Sequence, residues 1–196
     1  MSYCSMKYVI SLFLLAASSN LKAVTSSEVF AKYPNTYFIE TGSYCGDGIQ
    51  MALSTGFQEI YSIELSPEYH ERCNKRFAGI PQIHLILGDS ASMLPRLLQQ
   101  IDAPATFWLD GHYSGGDTAK GNSNSPILQE LDAIAQHPIK NHTILIDDIR
   151  QAGTTDFDLV TLGQIAKKIQ SINPKYRIFF EDGYIANDVL VAKVFE

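Results

Sequence analysis

From Thr36 to the C-terminus, short apolar runs alternate with segments whose apolar residues recur every three or four positions. This alternation limits the fold, because strands separated by helical crossovers must lie parallel, and a parallel sheet needs helices on both faces. Candidate strands are Tyr37–Glu40, Glu59–Glu64, His84–Leu87, Thr106–Asp110, Thr143–Asp147, Tyr176–Phe180 and Val189–Val194. Most are unbroken apolar runs, as strands covered on both faces should be. Ser66-Pro67 opens one helix, with serine as cap and proline in the first turn. Ser125-Pro126 opens another, carrying Ile127, Leu128, Leu131 and Ile134 on one face. A last helical stripe, Leu159, Leu162, Ile165, Ile169 and Ile172, stops before Pro174 and is expected to face the core. The expectation is an α/β protein: one three-layer domain over residues 24–196 with a mostly parallel, seven-stranded sheet.

Residues Tyr8–Ala17 (YVISLFLLAA) fall outside this rhythm. They follow Lys7 and lead through Ser18–Asn20 to Leu21-Lys22-Ala23, the order of a secretory signal peptide over residues 1–23. The alternative is an apolar N-terminal helix packed on the domain. The run is shorter than the ~20 residues that span a bilayer. A signal implies an exported or periplasmic protein; without one the chain is cytoplasmic. Cleavage would remove Cys4, leaving Cys45 and Cys73 either to pair or to stand as two reduced thiols. The chain is long enough to hold a core without disulfide staples. With 15 basic against 21 acidic residues, a net charge of -6 and no basic run longer than two, it lacks the clustered positive surface that a nucleic-acid partner needs.

Two long loops follow strand ends, Gly111–Asn124 (GHYSGGDTAKGNSN) and Asp148–Asp158 (DIRQAGTTDFD). In an open α/β sheet ligands bind at the carboxyl ends of the strands, so both loops are expected to face one crevice. The first strand runs into Glu40-Thr41-Gly42-Ser43-Tyr44-Cys45-Gly46-Asp47-Gly48, where glycines permit a sharp turn and a close approach to a ligand. An acid at this strand end disfavours a phosphate there and favours a cationic ligand. Glu64 ends the second strand, where nucleoside-binding α/β proteins present a carboxylate to ribose hydroxyls. Gly88-Asp89-Ser90 ends the third, Asp110 the fourth, and Asp147-Asp148 the fifth. Unless a ligand or cation compensates them, these acids repel one another.

The order of these motifs, from about Thr36 to the C-terminus, resembles the class I S-adenosylmethionine-dependent methyltransferases. The resemblance implies a Rossmann-like sandwich whose last two strands form an antiparallel hairpin edge. It implies S-adenosylmethionine as cofactor, with Gly42, Tyr44 and Gly46 under the methionine part and Glu40 near its ammonium. Glu64 would hold the ribose diol, and Asp89 and Ser90 would contact the adenine.

Trp108-Leu109-Asp110-Gly111-His112 followed by Ile146-Asp147-Asp148 looks like the metal-assisted O-methyltransferases of the catechol type. That likeness implies Asp110, Asp147 and Asp148 as ligands of Mg²⁺ or another divalent cation that orients a hydroxyl. Asp148 stands where asparagine is more usual. His112, two residues beyond Asp110, is the candidate catalytic base, and equally suits a loop histidine bonded to backbone. Tyr113 and Lys120 are candidates for the acceptor pocket, and Gly115-Gly116 would let their loop close. The expected activity is methyl transfer to an oxygen of a small-molecule acceptor. Two alternatives remain: a metal-dependent hydrolase using Asp110, His112, Asp147 and Asp148, and a non-catalytic exported binding protein.

Overall fold

In the computed structural model the described residues are 27–113, 115–116 and 118–195. The segment 1–23, and with it the signal-peptide reading and Cys4, lies outside them. The order is α1 (Ser27–Ala31), β1 (Tyr37–Thr41), α2 (Asp47–Ser54), β2 (Glu59–Glu64), α3 (Pro67–Arg76), β3 (Ile83–Leu87) and α4 (Ser90–Leu97). It continues through β4 (Ala105–Leu109), α5 (Ile127–Gln136), β5 (Thr143–Ile146), α6 (Leu162–Ile172), β6 (Arg177–Glu181) and β7 (Val189–Lys193). All seven strands join one sheet in the order β3-β2-β1-β4-β5-β7-β6. The first five strands run parallel, and β7 is antiparallel to both β5 and β6. The three-layer sandwich with an antiparallel hairpin edge is therefore the fold. Among the described residues, no helix is long and apolar enough to cross a membrane.

The apolar strands conceal a period of two, because both faces of the sheet are dry. Phe38, Ile60, Trp108, Leu145, Val189 and Val191 pack with Phe30 of α1, Ile49 of α2 and Cys73 of α3. Their neighbours Ile39, Ile63, Phe107, Ile144, Ile146 and Leu190 pack with Leu94 of α4, Leu131 of α5 and Ile165 of α6. Each fully buried side chain of this size contributes about 1.5–3 kcal/mol, so the two layers fix the sheet from both faces.

Local signals set the helix ends. Ser66 caps α3, accepting from Tyr69 N at 3.4 Å, with Pro67 in the first turn. At α5 the helix starts one residue later than expected: Pro126 is the cap, and Ser125 Oγ accepts from Ile127 N. The stripe expected from Leu159 is shorter. Thr161 and Gln164 form a capping box that starts α6 at Leu162, leaving Leu159 outside the helix at φ 62° and 63% exposed. Leu162 is also exposed, so Ile165, Ile169 and Ile172 carry the core face.

At the opposite edge from the strand tips, two buried histidines form a closed chain. Ala105 N donates to His142 Nδ1 (3.0 Å), the two rings meet at 2.9 Å, and His137 Nε2 donates to Ile101 O (3.0 Å). With each ring neutral, every nitrogen has one fitting partner. Burial, with the neighbouring His137 and Lys140, pushes His142 down to about 4. The unfolded chain takes up this proton near the ordinary value of ~6.5, so the pair's stabilisation is present above that pH and is lost as pH falls toward 4. An NMR titration of the folded protein should show His142 neutral down to about pH 5; a midpoint near ~6.5 would contradict the closed chain.

Candidate functional site

Backbone register brings the strand tips to one level. Thr41 lies opposite Ile63 and Leu109, and Leu109 lies opposite Ile146. The ladder continues one residue further: Gly42 N donates to Ile63 O, Gly88 N to Glu64 O, Asp110 N to Thr41 O and Asp147 N to Leu109 O, at 2.8–3.2 Å. Strand order reverses at β1, with β2 and β3 laid down on one side of it and β4 and β5 on the other, and between β1 and β4 lies the switch point at which such sheets open a crevice. A cavity of about 650 Å³ occupies it. Of the residues expected there, Glu40, Gly42, Tyr44, Glu64, Asp89 and Ser90 line the β1–β3 side, and Asp110, His112, Asp147 and Asp148 the β4–β5 side.

Gly46 differs from the expectation. It is not among the lining residues, and a side chain on it would strike the Phe77 ring and Cys73 Sγ, so it packs the turn against α3 instead. Tyr113 and Lys120 are not lining residues either: Lys120 Nζ lies over the Tyr113 ring at 5.5 Å. Their loop presents Thr118, Ala119 and Asn122 instead. The second loop ties it down, as Asp158 accepts from Asn124 N (2.8 Å) and Ser125 N (3.0 Å). Cys45 and Cys73 are both free thiols, and Cys73 Sγ donates to Tyr44 O. Burial pushes the Cys73 thiol up to about 12.

Glu40 is 2% exposed. Ser62 Oγ donates to its Oε2 at 2.5 Å, and Ser43 Oγ lies 2.5 Å from Ser62 Oγ. Burial pushes Glu40 up to about 8, against the pull of Ser62, with the charges of Glu64 and Asp47 adding to the rise. At neutral pH this acid is mostly protonated. Glu64 is held differently. Tyr44 N donates to Oε2 (2.8 Å) and Ser66 N to Oε1 (2.7 Å), one backbone donor for each oxygen. Tyr44, which makes one of these bonds, stands at φ 47°, in the left-handed region that a side chain occupies at a cost. Asp89 caps α4 through Ala91 N (3.0 Å).

On the other side, His112 is 8% exposed and lies between two carboxylates. Its Nε2 is 3.1 Å from Asp148 Oδ2, and its Nδ1 is 3.4 Å from Asp110 Oδ1. Two side-chain acids thus flank this ring. Burial opposes ionisation of Asp148, yet His112 and Arg150 keep it below the usual carboxylate range. Burial and the Asp148 charge push Asp147 up. The acids gathered within 4.8 Å of one another are Asp147, Asp148 and Asp188, while Asp110 faces the opposite nitrogen of His112.

Four contributors were not singled out from the sequence. Asp188 precedes an antiparallel strand, so the start of β7, not its end, reaches the active edge. Arg150 bonds both Asp148 and Asp188. Glu130 of α5 is 1% exposed, and burial pushes its carboxyl up to about 7 against the Ser90 and Thr41 hydroxyls. Gly48 is the fourth, because a Cβ there would overlap Glu40 Oε1. A glycine beside an acid-bearing strand was a readable signal for that last one; Glu130 lies on an ordinary helical face and gave none.

Gly→Ala in a helix ordinarily stabilises by about 0.5–1 kcal/mol. Gly163→Ala in α6, whose Cβ would meet nothing nearer than 3.9 Å, should do so. Gly48→Ala should instead destabilise by roughly 1–3 kcal/mol through overpacking on Glu40. Denaturant unfolding of both variants checks this, and a stabilised Gly48→Ala would contradict the packing described.

No family model matches the sequence, and no curated protein matches it. Solved structures do match. A methyltransferase of Podospora anserina, PaMTH1, bound to S-adenosylhomocysteine, superposes with TM-score 0.59 at 14% identity, covering 87% of this chain and 76% of that one. The O-methyltransferase TomG of Streptomyces achromogenes, in complex with S-adenosylmethionine, gives 0.57 at 13% identity, covering 87% and 78%. An O-methyltransferase of Bacillus cereus with S-adenosylhomocysteine gives 0.57 at 9% identity with the same coverage. Sheet order, hairpin edge and these superpositions agree that the chain has the fold of the class I S-adenosylmethionine-dependent methyltransferases.

Proposed function

We propose that the protein is an S-adenosylmethionine-dependent methyltransferase acting on an oxygen of a small hydroxyl compound. The observation that carries this reading is the pair of differently held acids at the switch point. Glu40 is buried and mostly neutral, and Glu64 has each oxygen fixed by a backbone N–H. A cofactor bearing both an ammonium and a ribose diol needs such a pair: one acid that gains its charge against a cation, and one whose lone pairs are aimed at two hydroxyls. Unlike a dinucleotide site, the turn offers an acid where a pyrophosphate would lie.

The cofactor fits the residues present. Glu40 would take the ammonium, Gly42 and Tyr44 would back the methionine part, Glu64 would hold the diol, and Asp89 and Ser90 would border the adenine. When bound, S-adenosylmethionine supplies a methyl group already activated on a sulfonium. The remaining task of the chain is alignment, worth up to about 7–11 kcal/mol in well-oriented systems, and removal of the acceptor proton. His112 is placed for that removal. Asp148 faces Nε2 and fixes the ring, leaving Nδ1 to take the proton, with Asp110 beside it to stabilise the imidazolium. Asp110, Asp147 and Asp148 make this wall acidic, which disfavours anionic acceptors.

Calorimetry with S-adenosylhomocysteine tests the reading. Because Glu40 starts mostly protonated, binding of an ammonium beside it should release close to one proton at pH 7, and affinity should rise as pH approaches about 8. Titrations in buffers of different ionisation enthalpy measure the release, which Glu40→Gln should abolish. Glu64→Ala should weaken binding roughly 10- to 100-fold, the worth of a charge-assisted hydrogen bond of about 1.5–3 kcal/mol. Absence of binding to the wild type would refute the proposal.

A further inference from the structure

The acceptor end holds a positive charge of its own. Arg150 Nη1 donates to Asp148 Oδ1 at 2.5 Å and also to Asp188 Oδ2, while Arg150 N donates to Asp188 Oδ1 at 3.2 Å. Asp148 Oδ2 faces His112 Nε2 at 3.1 Å and accepts from Gln151 Nε2 at 3.2 Å. Both oxygens of Asp148 and both of Asp188 are thus engaged by donors of this chain. Asp188 is 1% exposed, and its charge is compensated by Arg150, whose side chain is 41% exposed.

These are two of the three acids that could gather round a divalent ion, Asp147 being the third. A hard cation such as Mg²⁺ takes oxygen ligands at short range in near-octahedral geometry. Here it would enter beside a guanidinium already bonded to its ligands, and like charges so close repel. Arg150 would first have to leave, exposing the buried Asp188. Asp110, the remaining acid expected as a ligand, lies across His112 from Asp148. The residues present do not fit a metal ion while Arg150 stays in place.

We propose that Arg150 is the resident cation of the acceptor end, holding Asp148 and Asp188 where a divalent metal ion would otherwise be needed, so that the site works without bound metal. Its role as a positioning residue rests on the methyl-transfer reading. Arg150 fixes Asp148, Asp148 fixes His112 Nε2, and the ring is thereby turned toward the acceptor. No proton moves through Arg150; the charge it supplies is permanent.

Electron paramagnetic resonance of Mn²⁺ mixed with the purified full chain provides the test. Wild type should leave the free-ion signal unattenuated at millimolar metal. Arg150→Ala and Arg150→Gln, which release Asp148 and Asp188 beside Asp147, should each bind Mn²⁺ at least roughly ten-fold more tightly than wild type, and Arg150→Lys should behave as wild type. Using two neutral variants keeps the test open if one fails to fold, which circular dichroism reports. Wild-type binding as tight as in the neutral variants would overturn the proposal, and so would a folded neutral variant that binds no Mn²⁺. Calorimetry of the wild type with S-adenosylhomocysteine stands apart from these outcomes, so failure of the methyl-transfer reading is distinguishable from failure of the Arg150 role.

Discussion

A parallel sheet with level strand tips concentrates whatever its strands end in, and here each of the first five carries an acid within two residues of its end. Such a row is unstable unless each carboxylate is compensated, and the molecule does this in three distinct ways. Glu40 and Asp147 are pushed toward the protonated form by burial. Glu64 and Asp89 accept from backbone N–H groups that the turns aim at them. Asp148 and Asp188 share the guanidinium of Arg150. Each solution leaves a different chemical capacity: a proton to give up to a cation, lone pairs directed at hydroxyls, and a fixed ion pair that steadies a histidine.

The cavity is accordingly polarised along the sheet. The β1–β3 side carries the acids suited to an ammonium and a diol, and the β4–β5 side carries His112 between Asp110 and Asp148. The loops after β4 and β5 are joined through Asp158, which accepts from Asn124 N and Ser125 N. The wall over the β4–β5 side is therefore one structure built from two loops. Gly115 and Gly116 of the first loop stand at positive φ, a conformation that glycine adopts without strain.

Much of this was legible in the sequence because it follows from local rules. Alternating periods identified the strands and helices, and the acids at strand ends lined the crevice because parallel strands end on one edge. What escaped depended on three-dimensional packing. Asp188 was hidden because β7 runs antiparallel, so its N-terminal end shares the edge with the C-terminal ends of the others. Gly46 was grouped with ligand-facing glycines, but Phe77 and Cys73 of the α3 region claim its open side. Leu159 fitted the helical period, yet the Thr161 capping box starts the helix only after it. Arg150 carries no motif, and its importance arises only once Asp188 is beside it.

The proposed function turns on Glu40, mostly neutral by burial, giving up its proton against a bound ammonium. Infrared difference spectroscopy reads this directly on adding S-adenosylhomocysteine to the protein at pH 7. Loss of one protonated-carboxyl stretch is expected, with matching gain of carboxylate bands, and no such loss in Glu40→Gln. Saturating ligand binding with no change in the protonated-carboxyl region would contradict it.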